Sequence, residues 1–296
     1  MTCCFVQLTR LKAVWRILWY NSWHFPVNRA APRQSSARWP PPSRLTTNLS
    51  RSVRLAAGLA LGWAATLSPA LAQQNLFNIP SSDITRKGKI FYQHQINLYN
   101  DRFESKGHFV YGLGKGWDAG VNVVGKGLVF SPRWDVIHND KLTYGALFPV
   151  VMGTLQKQLT ISPRFNVNIG TQAGTNISRF ESRRKLHHFT YGMASYEFAP
   201  GRRIMGGTYV TNRAYVGPGN NLGLLLGYEW RLTDKWFLMG DWLSGHNDTG
   251  VGVVGAMFWP SPRLQLCAGA LIPNPGTPKP PGLVLEINIL GWDGSH

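Results

Sequence analysis

The 296-residue chain is short of cysteine, of acidic residues and of long apolar runs, and each shortage closes off a class of protein. Its cysteines are Cys3, Cys4 and Cys267. One thiol after residue 72 cannot form an internal disulfide, so that part of the chain has no covalent staple. Residues 1–72 hold nine Lys/Arg and no Asp/Glu, a large share of the formal charge of +17. The remainder carries 22 Lys/Arg against 14 Asp/Glu, spread along the chain. A nucleic-acid binder gathers its basic residues on a recognition element. Neither such an element nor zinc-ligand spacing occurs, so no nucleic-acid partner is expected. After residue 72 no run reaches 18 apolar residues, which excludes a helical membrane anchor.

What is present begins at Arg51. Arg51 and Arg54 form a basic start, Leu55 to Leu67 is almost wholly apolar, and Ala70-Leu71-Ala72 is a small-x-small cleavage pattern. That order predicts a secretory signal peptide over 51–72, with Gln73 as the new N-terminus. Residues 1–50 carry four tryptophans, the run Pro40 to Pro42 and no acid. They read as a disordered or non-native leader upstream of the true start, or as a long presequence. Residues 73–87 form an extended lead-in.

From Lys87 onward the periodicity is two. Phe91, Gln93, Gln95 and Asn97 interleave with Tyr92, His94, Ile96 and Leu98, and similar alternation recurs to Ile289. Such alternation predicts strands with one apolar face. The expected strands are 88–98, 106–115, 117–128, 143–158, 164–177, 187–199, 203–212, 221–231, 235–244, 249–259, 263–271 and 282–290. Pro149 cannot donate within a central strand, so the fourth is expected to begin at Val150 if the proline interrupts it.

Tight turns (114–116, 161–164, 200–202, 232–234, 260–263) alternate with longer stretches (129–141, 178–186, 213–220, 245–248, 272–281). An even strand count with short turns at one end predicts an all-β fold, a transmembrane antiparallel barrel over 88–291. Aromatic residues near the expected strand ends (Tyr92, Tyr99, Trp117, Phe165, Trp230, Trp236, Trp242, Phe258 and Trp259) suit interfacial girdles. A strand sheet in lipid must close, so that every N–H is paired.

With its signal, the lead-in Asn78-Ile79-Pro80-Ser81, glycine-rich strands and Ser-Pro-Arg turns, the chain resembles the porin-like bacterial outer-membrane barrels. Over residues 73–296 it is distantly similar to barrels linked to aromatic-degradation pathways. The resemblance implies residence in the outer membrane of a Gram-negative bacterium, contact with its lipids, assembly by the barrel-assembly machinery and passage of small hydrophobic or polar solutes. Trp292 is the candidate for the terminal aromatic that such machinery recognises.

The polar face supplies the expected lumen lining: Gln93, Gln95, Asn97, Asp118, Asn122, Lys126, Asn166, Asn168, Gln172, Glu229, Asp241, Glu286 and Asn288. These residues could line a polar passage, or satisfy one another inside a filled barrel. No cofactor, nucleotide or metal is expected. The glycines of 112–116 sit at a turn with no following helix, and His187 and His188, adjacent on a strand, face opposite sides. The expected function is a channel. Its rivals are a structural or adhesive barrel and a lipid-modifying enzyme using Ser244 with His246, or the His187-His188 pair. No catalytic residue is assigned, since loop neighbours seldom hold the geometry of a Ser–His pair.

Overall fold

The alternating segments become twelve antiparallel strands in a computed structural model, which describes residues 76–100, 102–129, 138–177, 183–277 and 279–294, the side chains of 126–129 excepted. The expected leader and signal peptide lie outside the described residues. The strands are β1 (Ile90–Leu98), β2 (Arg102–Gly114), β3 (Trp117–Val129), β4 (Val150–Ser162), β5 (Phe165–Asn176), β6 (Leu186–Ala199), β7 (Arg202–Thr211), β8 (Leu222–Arg231), β9 (Trp236–Leu243), β10 (Val251–Ser261), β11 (Leu264–Pro273) and β12 (Gly282–Leu290). Each pairs with its neighbours in sequence, and β12 returns to β1 with Phe91 opposite Leu290 and Leu98 opposite Leu283. The sheet is a closed barrel. Closure leaves no strand edge with unpaired backbone groups.

Most strand limits fall within a few residues of expectation; the exceptions are both ends of β4, which runs on to Ser162 past the expected 158, and the start of β2. β4 starts at Val150, not 143, because Pro149 has no N–H to give a ladder; residues 142–144 form a 3-10 turn instead. β2 starts at Arg102, four residues early. Its opening Arg-Phe-Glu-Ser is polar enough to read as loop, yet Glu104 is buried while Phe103 and Ser105 lie on the opposite face.

One face of every strand points outward, and on it large apolar side chains dominate: Phe109, Val121, Leu159, Ile169, Ile204, Leu224, Val254, Leu266 and Leu285 are all exposed. An exposed apolar surface running round a closed barrel is the pattern of a lipid-facing band. At the end bearing the tight turns, Trp117, Trp230 and Trp236 are exposed. There the Lys157 ammonium lies 5.2 Å from the Trp117 ring and the Arg202 guanidinium 4.7 Å from that of Trp230. Tyr99 and Trp259, expected in the girdles, are buried instead in the interior apolar cluster, as is Trp292. Alternation cannot tell inward from outward aromatics where a strand gives way to a loop.

The interior has two unlike faces. On β6 to β10, Phe189, Tyr191, Met193, Met205, Tyr209, Leu225, Phe237, Met239, Leu243, Val251, Val253 and Met257 form one apolar cluster. From β11 round through β12 to β5 the inward residues are largely polar. Strand register stacks Gln265, Asn288, Gln93, His108 and Asn122 into one rung, and Cys267, Glu286, Gln95, Lys106 and Val124 into the next.

Candidate functional site

Residues 76–85, part of the lead-in expected over 73–87, run inside the barrel, and Arg86 to Lys89 are exposed at its end. The segment leaves β1 at the turn end, where Gly88 adopts φ +72° and its N–H donates to the Gly112 carbonyl at 2.8 Å. From there it ascends the lumen. Leu76, Phe77 and Ile79 join the apolar cluster of the β6–β10 wall and are almost wholly shielded from solvent. Gly227 in the wall makes room for two of them. A Cβ on Gly227 would collide with Leu76 and stand 2.8 Å from Ile79; one on Gly255 would first meet the β11 backbone and then stand 2.8 Å from the Phe77 ring.

Between these anchors and the hinge, wall side chains bond the segment's backbone. The amides of Asn168 and Gln156 donate to the carbonyls of Ser81 and Asp83 at 2.8 and 2.9 Å, and Gln158 donates to that of Ser82. Carboxylates take the N–H groups: Asp118 accepts from Thr85 at 3.1 Å, and Asp241 from Ile79 at 3.1 Å and from Asn78. The hydroxyls of Ser82 and Ser195 bond each other. The Asp83 carboxylate meets the Arg203 guanidinium at 2.7 Å, and that guanidinium also reaches Glu229 at 3.0 Å. All three ionic side chains are nearly dry, so each depends on the others for the charge it cannot show to water.

Several of the residues expected to line the lumen therefore have more specific partners. Asp118, Asn168 and Asp241 hold the segment's backbone directly, and Glu229 does so at one remove through Arg203. Gln95 donates to Asn97 at 2.7 Å and reaches Oδ1 of the Asn78 side chain at 3.4 Å; Asn97 donates in turn to Glu104 at 3.3 Å. Asn288 donates to Glu286 at 2.8 Å and to Gln265 at 3.0 Å. Gln93 is buried between Asn288 and His108 in register. Asn122 donates to Gln172 at 3.0 Å. Asn166 is half-buried, opposite Thr160 and Ser195. The Lys126 side chain falls outside the described residues; its backbone pairs with Glu104.

Sequence reasoning passed over Arg203, Gln156, Gln158, Glu104 and Lys106, and the whole of the docked segment. Its one available signal was composition: Leu-Phe-Asn-Ile followed by Pro-Ser-Ser-Asp is too apolar at its start for a solvated tether.

Above the segment lies a chamber of about 100 Å³. Phe77, Asn78 and Pro80 form its floor; Gln95, Lys106, Asn122 and Gln172 face Phe189, Leu243 and Val251 across it. Leu147, Phe148, Tyr215 and Lys279 come from the longer loops at the far end. Those loops are tied together. The Asp248 carboxylate accepts from Ala146 N at 2.7 Å, Asp248 N donates to Val216 O at 2.9 Å, and the Asn247 amide donates to Asn220 O at 2.7 Å. The Lys279 ammonium sits 3.5 Å from Glu104; that carboxylate and the Tyr99 phenol beside it hold the lysine charged to higher pH than usual, against the pull of burial. Burial pushes the Tyr215 phenol, on the short helix α1 (Arg213–Val216), up to about 12.

The enzyme candidates do not come together. Ser244 Oγ accepts from Leu224 N at 2.6 Å, while His246 Nδ1 faces Pro275 O at 2.7 Å. His187 is buried and His188 half-buried, on opposite faces of β6. Among the described residues no group of three His, Cys, Asp or Glu could hold a metal ion. Gly114, Lys115 and Gly116 all have positive φ and form the β2–β3 turn.

Fold and interior together define a closed twelve-stranded barrel occupied by its own residues 76–85. No family model and no curated protein matches the chain. Among solved structures, the toluene transporter TbuX of Ralstonia pickettii is similar with a TM-score of 0.38 and 12% sequence identity, over 65% of this chain and 69% of that one. A likeness of that grade carries no argument about what the chain does.

Proposed function

We propose that the chain is an outer-membrane barrel that passes small solutes through its lumen, with residues 76–85 as a removable gate. Three features support the address. The outward face is apolar round the barrel, aromatic residues with cations beside them mark the turn end, and a secretory signal is read at 51–72. Outer-membrane lipids and the barrel-assembly machinery are then its partners in the membrane.

The observation that carries the channel reading is how the lumen is filled. In a barrel that serves only as a scaffold, wall side chains can meet across the axis and fill the interior. Here Gly227 leaves the wall thin where Leu76 and Ile79 seat, and a separate strip of chain occupies the lumen. A strip attached at one end through a glycine hinge can withdraw toward the turn side without unpairing any strand. The passage left behind has a polar side and an apolar side, suited to small amphipathic solutes. A structural or adhesive barrel remains the rival, favoured by the hydrogen bonds that tie the longer loops together over the chamber.

The test is a lock. Ser82 and Ser195 are in hydroxyl contact, close enough for Ser82→Cys with Ser195→Cys, in a Cys267→Ser background, to bridge. In planar bilayers the reduced protein is expected to give discrete conductance events that oxidation abolishes and reductant restores. Heat-modifiable, correctly folded protein that conducts in neither state, or equally in both, would sink the gate.

A further inference from the structure

The contacts that hold residues 76–85 are those of a receptor for a peptide: residues 76–79 bend, with Leu76 N donating to Ile79 O at 3.0 Å, and the wall grips the backbone beyond them. Three wall amides, from Gln156, Gln158 and Asn168, take three consecutive carbonyls, Asp83, Ser82 and Ser81. Wall carboxylates take N–H groups on either side of that triplet, Asp118 from Thr85 and Asp241 from Ile79. Main-chain bonds give grip without reading sequence, while side-chain pockets at chosen positions give specificity. The apolar seats for Leu76, Phe77 and Ile79, relieved at Gly227, and the Arg203 guanidinium facing Asp83 are those pockets. None of these wall contacts needs the covalent link through Arg86 to Lys89.

We propose that the lumen is a peptide-binding groove whose tethered occupant is Leu76–Thr85, and that it accepts a peptide of the same pattern and bend supplied separately from the turn side. That pattern is apolar at the first, second and fourth positions, Asn at the third, Pro at the fifth and a carboxylate at the eighth. The inference rests on the gate reading for its biological use but not for its binding chemistry. A short tether holds its segment at an effective concentration in the millimolar range. A free peptide therefore binds only when the resident segment is disabled.

The experiment leaves the wall untouched and spoils the occupant. In the full chain, Leu76→Asp, Phe77→Asp and Ile79→Asp are combined, which makes the resident segment too polar for its seats. A fluorescently labelled ten-residue peptide with the sequence of Leu76–Thr85 is then titrated against the folded variant in detergent, with folding checked by heat-modifiable mobility. The expected result is saturable anisotropy, at least tenfold weaker for a scrambled peptide. Binding to the unsubstituted protein should also be at least tenfold weaker, because its groove is occupied. Adding Arg203→Leu should weaken binding at least tenfold, and a peptide with Asn at the eighth position should lose affinity in the same direction. Equal binding of scrambled and native peptides, or no saturable binding to the folded variant, overturns the proposal. Conductance of the same variant is read separately. If it binds peptide without ever conducting, the groove stands and the gate falls; if it conducts and no peptide binds, the reverse holds.

Discussion

Phe77→Ala isolates the docking equilibrium from the stability of the barrel. The ring is almost wholly buried, and its tip lies against the β10–β11 wall, where a Cβ on Gly255 or Gly269 would stand 2.8 and 3.1 Å from it after first meeting the neighbouring strand. Truncating a buried Phe to Ala costs about 3–5 kcal/mol, because both the transfer energy and the unfilled cavity count. In an ordinary core that cost appears as lost global stability. Phe77 lies on a strip whose departure breaks no strand pairing, so the cost falls on docking: at 1.4 kcal/mol per factor of ten, the undocked population rises roughly 10²- to 10³-fold. Cys267 reports it. This thiol is buried in the same interior cluster, one inward position along β11 from Gly269. A small charged thiol reagent should modify Cys267 at least a hundredfold faster in Phe77→Ala than in the parent, while the urea midpoint for barrel unfolding moves little. An acceleration below about threefold with a large fall in the urea midpoint would refute the reasoning, because the segment would then be part of the barrel's cooperative core.

Gly227→Leu attacks the same contact from the wall. The new side chain claims the seat of Leu76 and Ile79, so accelerated Cys267 labelling with an intact heat-modifiable barrel is expected. Arg203→Leu leaves Asp83 on the strip and Glu229 in the wall without their shared cation, so the cost falls on docking and Cys267 labelling should accelerate; combining it with Asp83→Asn and Glu229→Gln should recover most of that change. At the loop end the prediction concerns pH. Tyr215 is held neutral up to about 12, whereas an unfolded tyrosine ionises near 10, so the unfolded state releases its proton first and stability falls as pH rises from about 10 to 12. A spectrophotometric titration at alkaline pH should show a late phenolate component that Tyr215→Phe removes.

The barrel itself was legible because period-two alternation survives on every strand and turn chemistry punctuates it. The strand starts that slipped, at Arg102 and Val150, are places where polarity or a proline breaks the pattern without reporting what the neighbouring strand requires. The inside was harder to read for a physical reason. Alternation says that two faces differ, and a polar face was taken for the lumen. On β6 to β10, however, the lumen is apolar too, so outward Leu224 and inward Leu225 are alike in hydropathy and differ only in what covers them: nothing from the protein for one, the apolar interior for the other. One glycine carried some of the missing information. A glycine on an inward position reads as weakness in a lone strand, and at Gly227 it is the approach of Leu76 and Ile79 that shows why no side chain stands there.

That double-faced interior bears on selectivity. With the segment withdrawn, the polar arc from β11 to β5 exposes Glu104, Lys106, Asp118 and Glu286 to the passage, while Arg203, Glu229 and Asp241 stand on the other side. Carboxylates outnumber cations among these residues by five to two. Low-dielectric walls focus such a field, so the opened lumen should prefer cations. Reversal potentials under a salt gradient, measured on the reduced Ser82→Cys/Ser195→Cys protein, give the direction. Glu286→Gln with Asp241→Asn should move the preference toward neutrality, and Lys106→Gln should strengthen it. Anion preference in the parent, or no response to the paired substitution, would mean that ions do not travel along the polar arc, leaving the apolar wall as the route for solute.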